Sequence, residues 1–181
     1  MRINGYTIEP NANLFRANLC HSDLSGIDLS GANLCRANLR GANLQHTCLF
    51  GASLHYADLR GSNLSYSNLR HADLYHADLR ESDLRKADLM YTNLSKANLF
   101  KSDLSNVGLY NTVGDGQIIR SMQIHPYMVT VCDDWLQIDC EGHRVHEWQE
   151  FDDQRILQMD GQESIDWWRQ YKDIVLAFAD C

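Results

Sequence analysis

No stretch of about 18 apolar residues occurs in the chain, so nothing in it reads as a membrane-spanning helix. The opening residues Met1-Arg2-Ile3-Asn4-Gly5 lack the apolar run of a secretory signal. The six cysteines show no paired spacing: Cys20, Cys35 and Cys48 come early, Cys132 and Cys140 late, and Cys181 is last. A disulfide framework is therefore not indicated, and a reducing, cytoplasmic setting is the expectation. Catalytic signatures are missing as well. There is no nucleophile elbow, Walker loop, dinucleotide fingerprint or metalloprotease motif. No enzyme activity, cofactor or small-molecule substrate is expected.

What the chain does contain is a leucine ladder. From Leu14 to Leu109, leucine falls at every fifth residue, twenty times without a miss. The residue two before it is Ala, Ser or Thr in eighteen of the twenty, with Ile27 and Val107 the exceptions. The residue just before it is Asn or Asp in seventeen, the exceptions being Cys48, Ser53 and Gly108. A repeat this strict governs any reading of the fold.

Period five suits neither regular element. On an α-helix the leucines would step round by roughly 140° and never share a face. On a flat strand an odd spacing sends them to opposite sides. They share one interior only if the backbone turns a corner within each unit, and Asn and Asp suit corners because they bond nearby backbone and tolerate unusual dihedrals. The chain is therefore expected to coil as a solenoid with leucine inside. Sorting the small residues in steps of twenty gives near-uniform columns, such as Ala17, Ala37, Ala57, Ala77 and Ala97. Four units per coil follow, hence five coils at about 4.8 Å and a shaft of roughly 24 Å. The period also excludes a hexapeptide-repeat transferase.

The unit seen in Gly31-Ala32-Asn33-Leu34 and Tyr56-Ala57-Asp58-Leu59 resembles the pentapeptide-repeat family over about 100 of the 181 residues. The resemblance implies a mainly β fold: a right-handed parallel quadrilateral β-helix of about five coils. A small α+β C-terminal capping domain would follow. The expected divisions are a cap strand over 1–10, the shaft over 11–113 and an acidic domain over 114–181.

Charge divides at the same boundary. Residues 11–110 hold ten Lys/Arg and nine Asp/Glu, whereas 111–181 hold five and fourteen, a net of −9. On the shaft the two residues after each leucine are expected to face solvent. Arg40, Arg60 and Arg80 fall in one column, with Asp58 and Asp78 on the same side to pair with them. Another face carries Phe15, His55 and Tyr75, with Arg16, Arg36, Tyr56, His76 and Lys96 beside them. Basic residues gather in the last coils, at Arg80, Arg85, Lys86, Lys96 and Lys101. The bland reading is a solvated face. The functional one is a surface formed by Arg40, Arg60, Arg80, Arg85, Lys86, Lys101, His55 and Tyr75 that meets an acidic partner.

In the tail, Ile118-Ile119, Met122, Ile124, then Tyr127 to Val131, then Trp135 to Ile138 read as a β-meander. Breaks are expected at Gly114-Asp115-Gly116, His125-Pro126 and Asp133-Asp134. Val145, Trp148 and Phe151 suggest a short helix, and Asp152-Asp153 an N-cap for a second. The segment 164–179 reads as an amphipathic helix. Its stripe includes Ile165, Trp168, Tyr171, Val175 and Phe178, and would either cap the shaft or pair with a second copy as a homodimer. The tail resembles a segment that accompanies repeat shafts in some bacterial and phage proteins. Cys132, Cys140, His143 and His146 do not match zinc-site spacing, so no metal is expected.

The leading reading is a non-enzymatic scaffold for an unidentified protein partner, of bacterial, phage or prophage origin. The resemblance also brings a competing one: mimicry of DNA toward an enzyme such as gyrase. Mimicry needs carboxylates at phosphate-like spacing, yet no column holds more than two in succession. Direct nucleic-acid binding is opposed by the net charge of −8.

Overall fold

A computed structural model describes residues 1–114, 119–124, 127–132, 135–138, 141–160 and 162–180. The expected breaks at Asp115-Gly116, His125-Pro126 and Asp133-Asp134, and Cys140, lie outside the described residues. The shaft is a stack of four-unit coils. Parallel bridges join residues twenty apart, from Asn13 with Asn33 through to Asn93 with Val113. The backbone bonds repeat in step: Leu34 N–H donates to the Ser53 carbonyl at 2.7 Å and Asn33 N–H to the Ala12 carbonyl at 2.9 Å.

Leucine lines the interior. Nineteen of the twenty are buried, and only Leu104, in the last coil, is half-exposed. The small residue two before leucine packs beside it, and its larger substitutes Ile27 and Val107 are only partly buried. Where that residue carries a hydroxyl, the buried oxygen is satisfied in one of two ways. Ser62, Ser67 and Ser82 donate to the leucine carbonyl of their own turn, at 2.6 to 2.7 Å. Thr47, Thr92 and Thr112 donate instead to a leucine carbonyl one coil back, at 2.7 to 2.8 Å.

The corner is not where Asn and Asp stand. At all twenty second positions after leucine φ is positive, between 54° and 67°. Five of these are glycine and fifteen carry side chains. Each corner closes a β-turn from leucine to the next small residue, as in Ala57 N–H to the Leu54 carbonyl at 3.0 Å. Positive φ at the third residue of such a turn is the type II pattern. The Asn or Asp lies flat in the bridge, and its Oδ1 accepts from the backbone N–H two residues on, as Asp58 does from Arg60 at 3.2 Å. Asn side chains also ladder between coils, as from Asn33 Nδ2 to Asn13 Oδ1 at 3.3 Å.

The first ten residues form a hairpin rather than one strand: β1 (Arg2–Ile3) pairs antiparallel with β2 (Tyr6–Thr7). Asn4 and Gly5 both take positive φ, the two-residue turn that Asn-Gly favours. Buried Ile8 then closes the first coil.

The tail is a four-stranded antiparallel meander in chain order: β3 (Ile119–Ile124), β4 (Tyr127–Cys132), β5 (Trp135–Ile138) and β6 (Glu141–Arg144). β6 was not expected, since Glu-Gly-His-Arg has no apolar alternation; it is held by pairing with β5. Three helices follow, α1 (Val145–Glu150), α2 (Asp153–Asp160) and α3 (Gln162–Asp180). Asp152 caps α2, accepting from Arg155 N–H at 2.9 Å. The tail has its own core, where Trp148 is buried and its Nε1 donates to the Leu136 carbonyl at 2.7 Å. Buried Cys132 belongs to the shaft's core instead. A cleft of about 640 Å³, lined by residues 101–107 with Cys132 and Arg144, lies over the last coil.

Candidate interaction surface

Charged side chains on the shaft follow one rule. A residue at the first position after leucine lies between two bridge positions, the one two residues before it and the one eighteen residues after. Where either is Asp, an arginine there is captured. Arg60 Nε donates to Asp58 at 2.7 Å and lies 3.6 Å from Asp78 on the next coil. Arg80 Nε donates to Asp78 at 2.8 Å. Arg85 Nε donates to Asp83 at 2.9 Å and lies 3.7 Å from Asp103. Arg70, with Asn68 before it, turns to Asp88 at 3.3 Å. His55 meets Asp73 in the same way.

The electrostatic consequence is mutual. Hydrogen bonds from Arg60, Arg80 and Arg85 hold the carboxyls of Asp58, Asp78 and Asp83 below the usual carboxylate range, while burial opposes this. Those same bonds raise the guanidinium pKa values. The arginine column is thus largely neutralised from within. Arg40 is the exception: Asp58, eighteen residues on, is already held by Arg60, and among the described residues Arg40 makes no ion pair. The column lines a shallow groove with His21, Gly41, Gly61 and Glu81.

Cations at the second position after leucine behave differently. They stand out at the corner, away from the carboxylates, and lie over aromatic rings. Arg16 covers Phe15, Arg36 covers Tyr56, Lys86 covers Tyr66, Lys96 covers Tyr75 and Lys101 covers Phe100, at 5.2 to 5.7 Å from the ring centroids. None of these five makes an ion pair with a described residue. The rings stack up the corners in turn. His46 stacks on Tyr66 at 4.9 Å, Tyr56 on His76 at 5.0 Å and His71 on Tyr91 at 4.7 Å.

One corner concentrates these features. Tyr56, Tyr75 and His76 touch one another, with centroids 4.5 to 6.0 Å apart, and His55 joins them edge-on to Tyr75. Arg36 lies below the cluster and Lys96 above it. Tyr56 is 50% exposed, a large ring offered to solvent.

The expected surface therefore splits. His55 and Tyr75 sit in the ring cluster, Arg60, Arg80 and Arg85 are tied to carboxylates, and Lys86 and Lys101 stand on other corners. Arg36, Tyr56, His76 and Lys96 were only neighbours in the sequence reading. The available signal was glycine: all five shaft glycines in the repeat unit after leucine fall at its second position, none at its first.

The stripe on α3 does not form a free seam. Ile165, Trp168 and Val175 are buried in the tail's own core, with Tyr171 packed at its margin; the side chain of Phe178 lies outside the described residues. That face packs against α1 and α2, with Trp148 against Trp168 at 5.4 Å and Ser164 Oγ donating to the Ile156 carbonyl at 3.0 Å. Among the described residues no group of three metal-binding side chains occurs. His143 Nε2 lies 3.2 Å from Glu141, apart from buried Cys132 in the shaft core. No helix among the described residues is long and apolar enough to cross a membrane.

A family model described as pentapeptide repeats matches residues 12–49 and 67–106, in eight copies. Among solved structures, a pentapeptide repeat protein of the Arabidopsis thaliana thylakoid lumen is 27% identical with a TM-score of 0.51, over 52% of this chain and 66% of that one. A pentapeptide repeat protein from Nostoc is 39% identical with a TM-score of 0.46, over 54% of this chain and 80% of that one. The chain thus spans slightly less than two thirds of the thylakoid protein. No functionally curated protein matches it.

Proposed function

Because this chain belongs to the pentapeptide-repeat family, with the right-handed β-helix of that fold, we propose that it is a non-catalytic scaffold whose shaft binds a protein partner. The observation that carries this reading is the exposed corner of Arg36, Tyr56, His76 and Lys96. Tyrosine and arginine are the residues enriched at interface hot spots, and rings fixed on a rigid rod lose little entropy on binding. The interior offers no space for a substrate, since leucine and small residues fill it.

DNA mimicry has less support. A mimic presents unspent negative charge at regular spacing. Here Asp58, Asp78, Asp83 and Asp88 each meet an arginine. A gyrase supercoiling assay separates the readings, because inhibition by this protein would favour mimicry. The scaffold reading is tested by affinity capture from a bacterial lysate, with the full chain beside a Tyr56→Ala/His76→Ala variant. Proteins retained by the first and lost by the second support it. Identical recovery on both counts against it.

A further inference from the structure

Three guanidiniums share two carboxylates on the face that follows the Arg36–Lys96 corner. Arg60 takes both oxygens of Asp58, at 2.7 and 2.5 Å, and Arg80 both oxygens of Asp78, at 2.8 and 2.6 Å. The ladder is one carboxylate short, and the shortfall falls at Arg40. Asn38, which stands where Asp58 stands one coil on, is neutral, and its Oδ1 only accepts from the Arg40 N–H at 3.2 Å. Arg40 is exposed, and among the described residues its guanidinium has no polar partner. The next corner is bare on two successive coils, at Gly41 and Gly61, and these glycines line a groove of about 370 Å³ with His21 at one end. His21 N–H donates to the Arg40 carbonyl at 2.9 Å. Its ring leans over the Gly41 corner, where a Cβ would come within 2.5 Å of it.

We infer that Arg40 and His21 hold the carboxylate of an Asp or Glu side chain of a protein partner, seated in this glycine-lined groove. The inference rests on the scaffold reading and adds to it a second site, beside the aromatic corner, with a stated chemistry. A guanidinium fork matches a planar carboxylate through two parallel bonds, the way Arg60 already holds Asp58. The partner's carboxylate is the third member that the ladder lacks, and the His21 imidazole donates to it from the side. Two bare corners let the partner's main chain approach closely. The face has one positive charge to spare on a chain of net charge −8, which suits a single carboxylate and repels a polyanionic strand.

Random short peptides displayed on phage and panned against the immobilised full chain supply the probe. The retained pool is expected to be enriched in Asp and Glu. A synthetic peptide from that pool, followed by fluorescence anisotropy, should lose roughly tenfold or more in affinity when its acidic residue becomes the matching amide, the loss of one desolvated charge pair. Two variants of the protein should weaken it by a similar factor. Arg40→Gln removes the fork. Asn38→Asp keeps the fork and gives it an internal carboxylate, in the succession that Asp58 and Asp78 already show, so the groove is filled from within. Unchanged circular dichroism and a melting temperature no lower than wild type at neutral pH show that Asn38→Asp folds. Undiminished peptide binding by either variant overturns the inference, as does a panning that retains no acidic peptides. An oligothymidylate strand that binds the wild type more tightly than the peptide, and is released by Asn38→Asp, also overturns it, because the ligand is then a phosphate. Lysate capture that depends on Tyr56 and His76 but is unchanged by Arg40→Gln removes the groove site alone and leaves the scaffold reading standing.

Discussion

Arg60 holds Asp58 on its own coil and reaches Asp78 on the next. Its Nε donates to Asp58 Oδ1 at 2.7 Å and lies 3.6 Å from Asp78 Oδ2. Two residues back and eighteen forward are adjacent places on this backbone, because twenty residues make one coil. A first-position side chain therefore links coils, while a second-position side chain stands clear of the carboxylates. That separation turns a nearly neutral shaft into neutral faces with cationic, aromatic corners.

Acid should loosen the Arg60 and Arg80 links in a defined window. Asp58 and Asp78 have lowered carboxyl pKa values in the folded chain, chiefly through hydrogen bonds from Arg60 and Arg80. A depressed folded value means that the stabilisation is fully present above the unfolded value, near pH 4, and is lost as pH falls through the folded value. Arg60→Gln/Arg80→Gln is therefore expected to melt lower than wild type at neutral pH, with the gap closing below about pH 4. Melting curves across that range check it, and a gap that persists in acid would contradict the assignment.

Leucine truncation should cost different amounts along the rod. Leu64 is fully buried, so Leu64→Ala leaves a cavity between coils and is expected to cost about 2–5 kcal/mol. Leu104 is only partly buried beside the cleft at the last coil, so Leu104→Ala should cost less than half as much. Denaturant unfolding of the two variants compares them directly. Equal losses would mean that the last coil is as tightly closed as the middle.

Much of this was legible in the sequence because the repeat is so regular. Leu14 to Leu109 and the twenty-residue columns fixed the coil, and the Asp58–Arg60 pairing followed from their shared face. The difference between first and second positions was not deduced, because both were simply polar and outward. Only the backbone decides that Tyr75 lies along a coil while Tyr56 stands at a corner, with φ of 57°. The α3 stripe was visible as amphipathic, but pattern alone cannot say that Trp168 packs against Trp148 of α1. β6 escaped notice because backbone pairing with β5, rather than side-chain burial, makes it a strand.

The threonines should matter more than the serines to cohesion between coils. Thr92 Oγ1 donates to the Leu69 carbonyl a coil away at 2.7 Å, whereas Ser82 Oγ donates to Leu79 in its own turn at 2.6 Å. Thr92→Val keeps the shape and removes the donor, at an expected cost of about 1 kcal/mol. Its effect should appear as faster amide exchange in both coils, around Ala72 and Thr92. Ser82→Ala should speed exchange only near its own turn. The same two-coil pattern from Ser82→Ala would remove the distinction.

Side chains at the two glycine corners of the arginine groove should be tolerated unequally. Gly61 has φ of 61°, and a Cβ there would meet nothing within 4 Å. Tyrosine already occupies the same conformation at Tyr66, where φ is 59°. Gly61→Ala therefore carries only the left-handed backbone cost of about 1–2 kcal/mol. At Gly41 a Cβ would come within 2.5 Å of the His21 ring, so the imidazole must swing aside. Gly41→Ala is expected to melt lower than Gly61→Ala, and adding His21→Ala should remove most of the difference. If His21→Ala leaves that difference intact, the ring is not what crowds the corner.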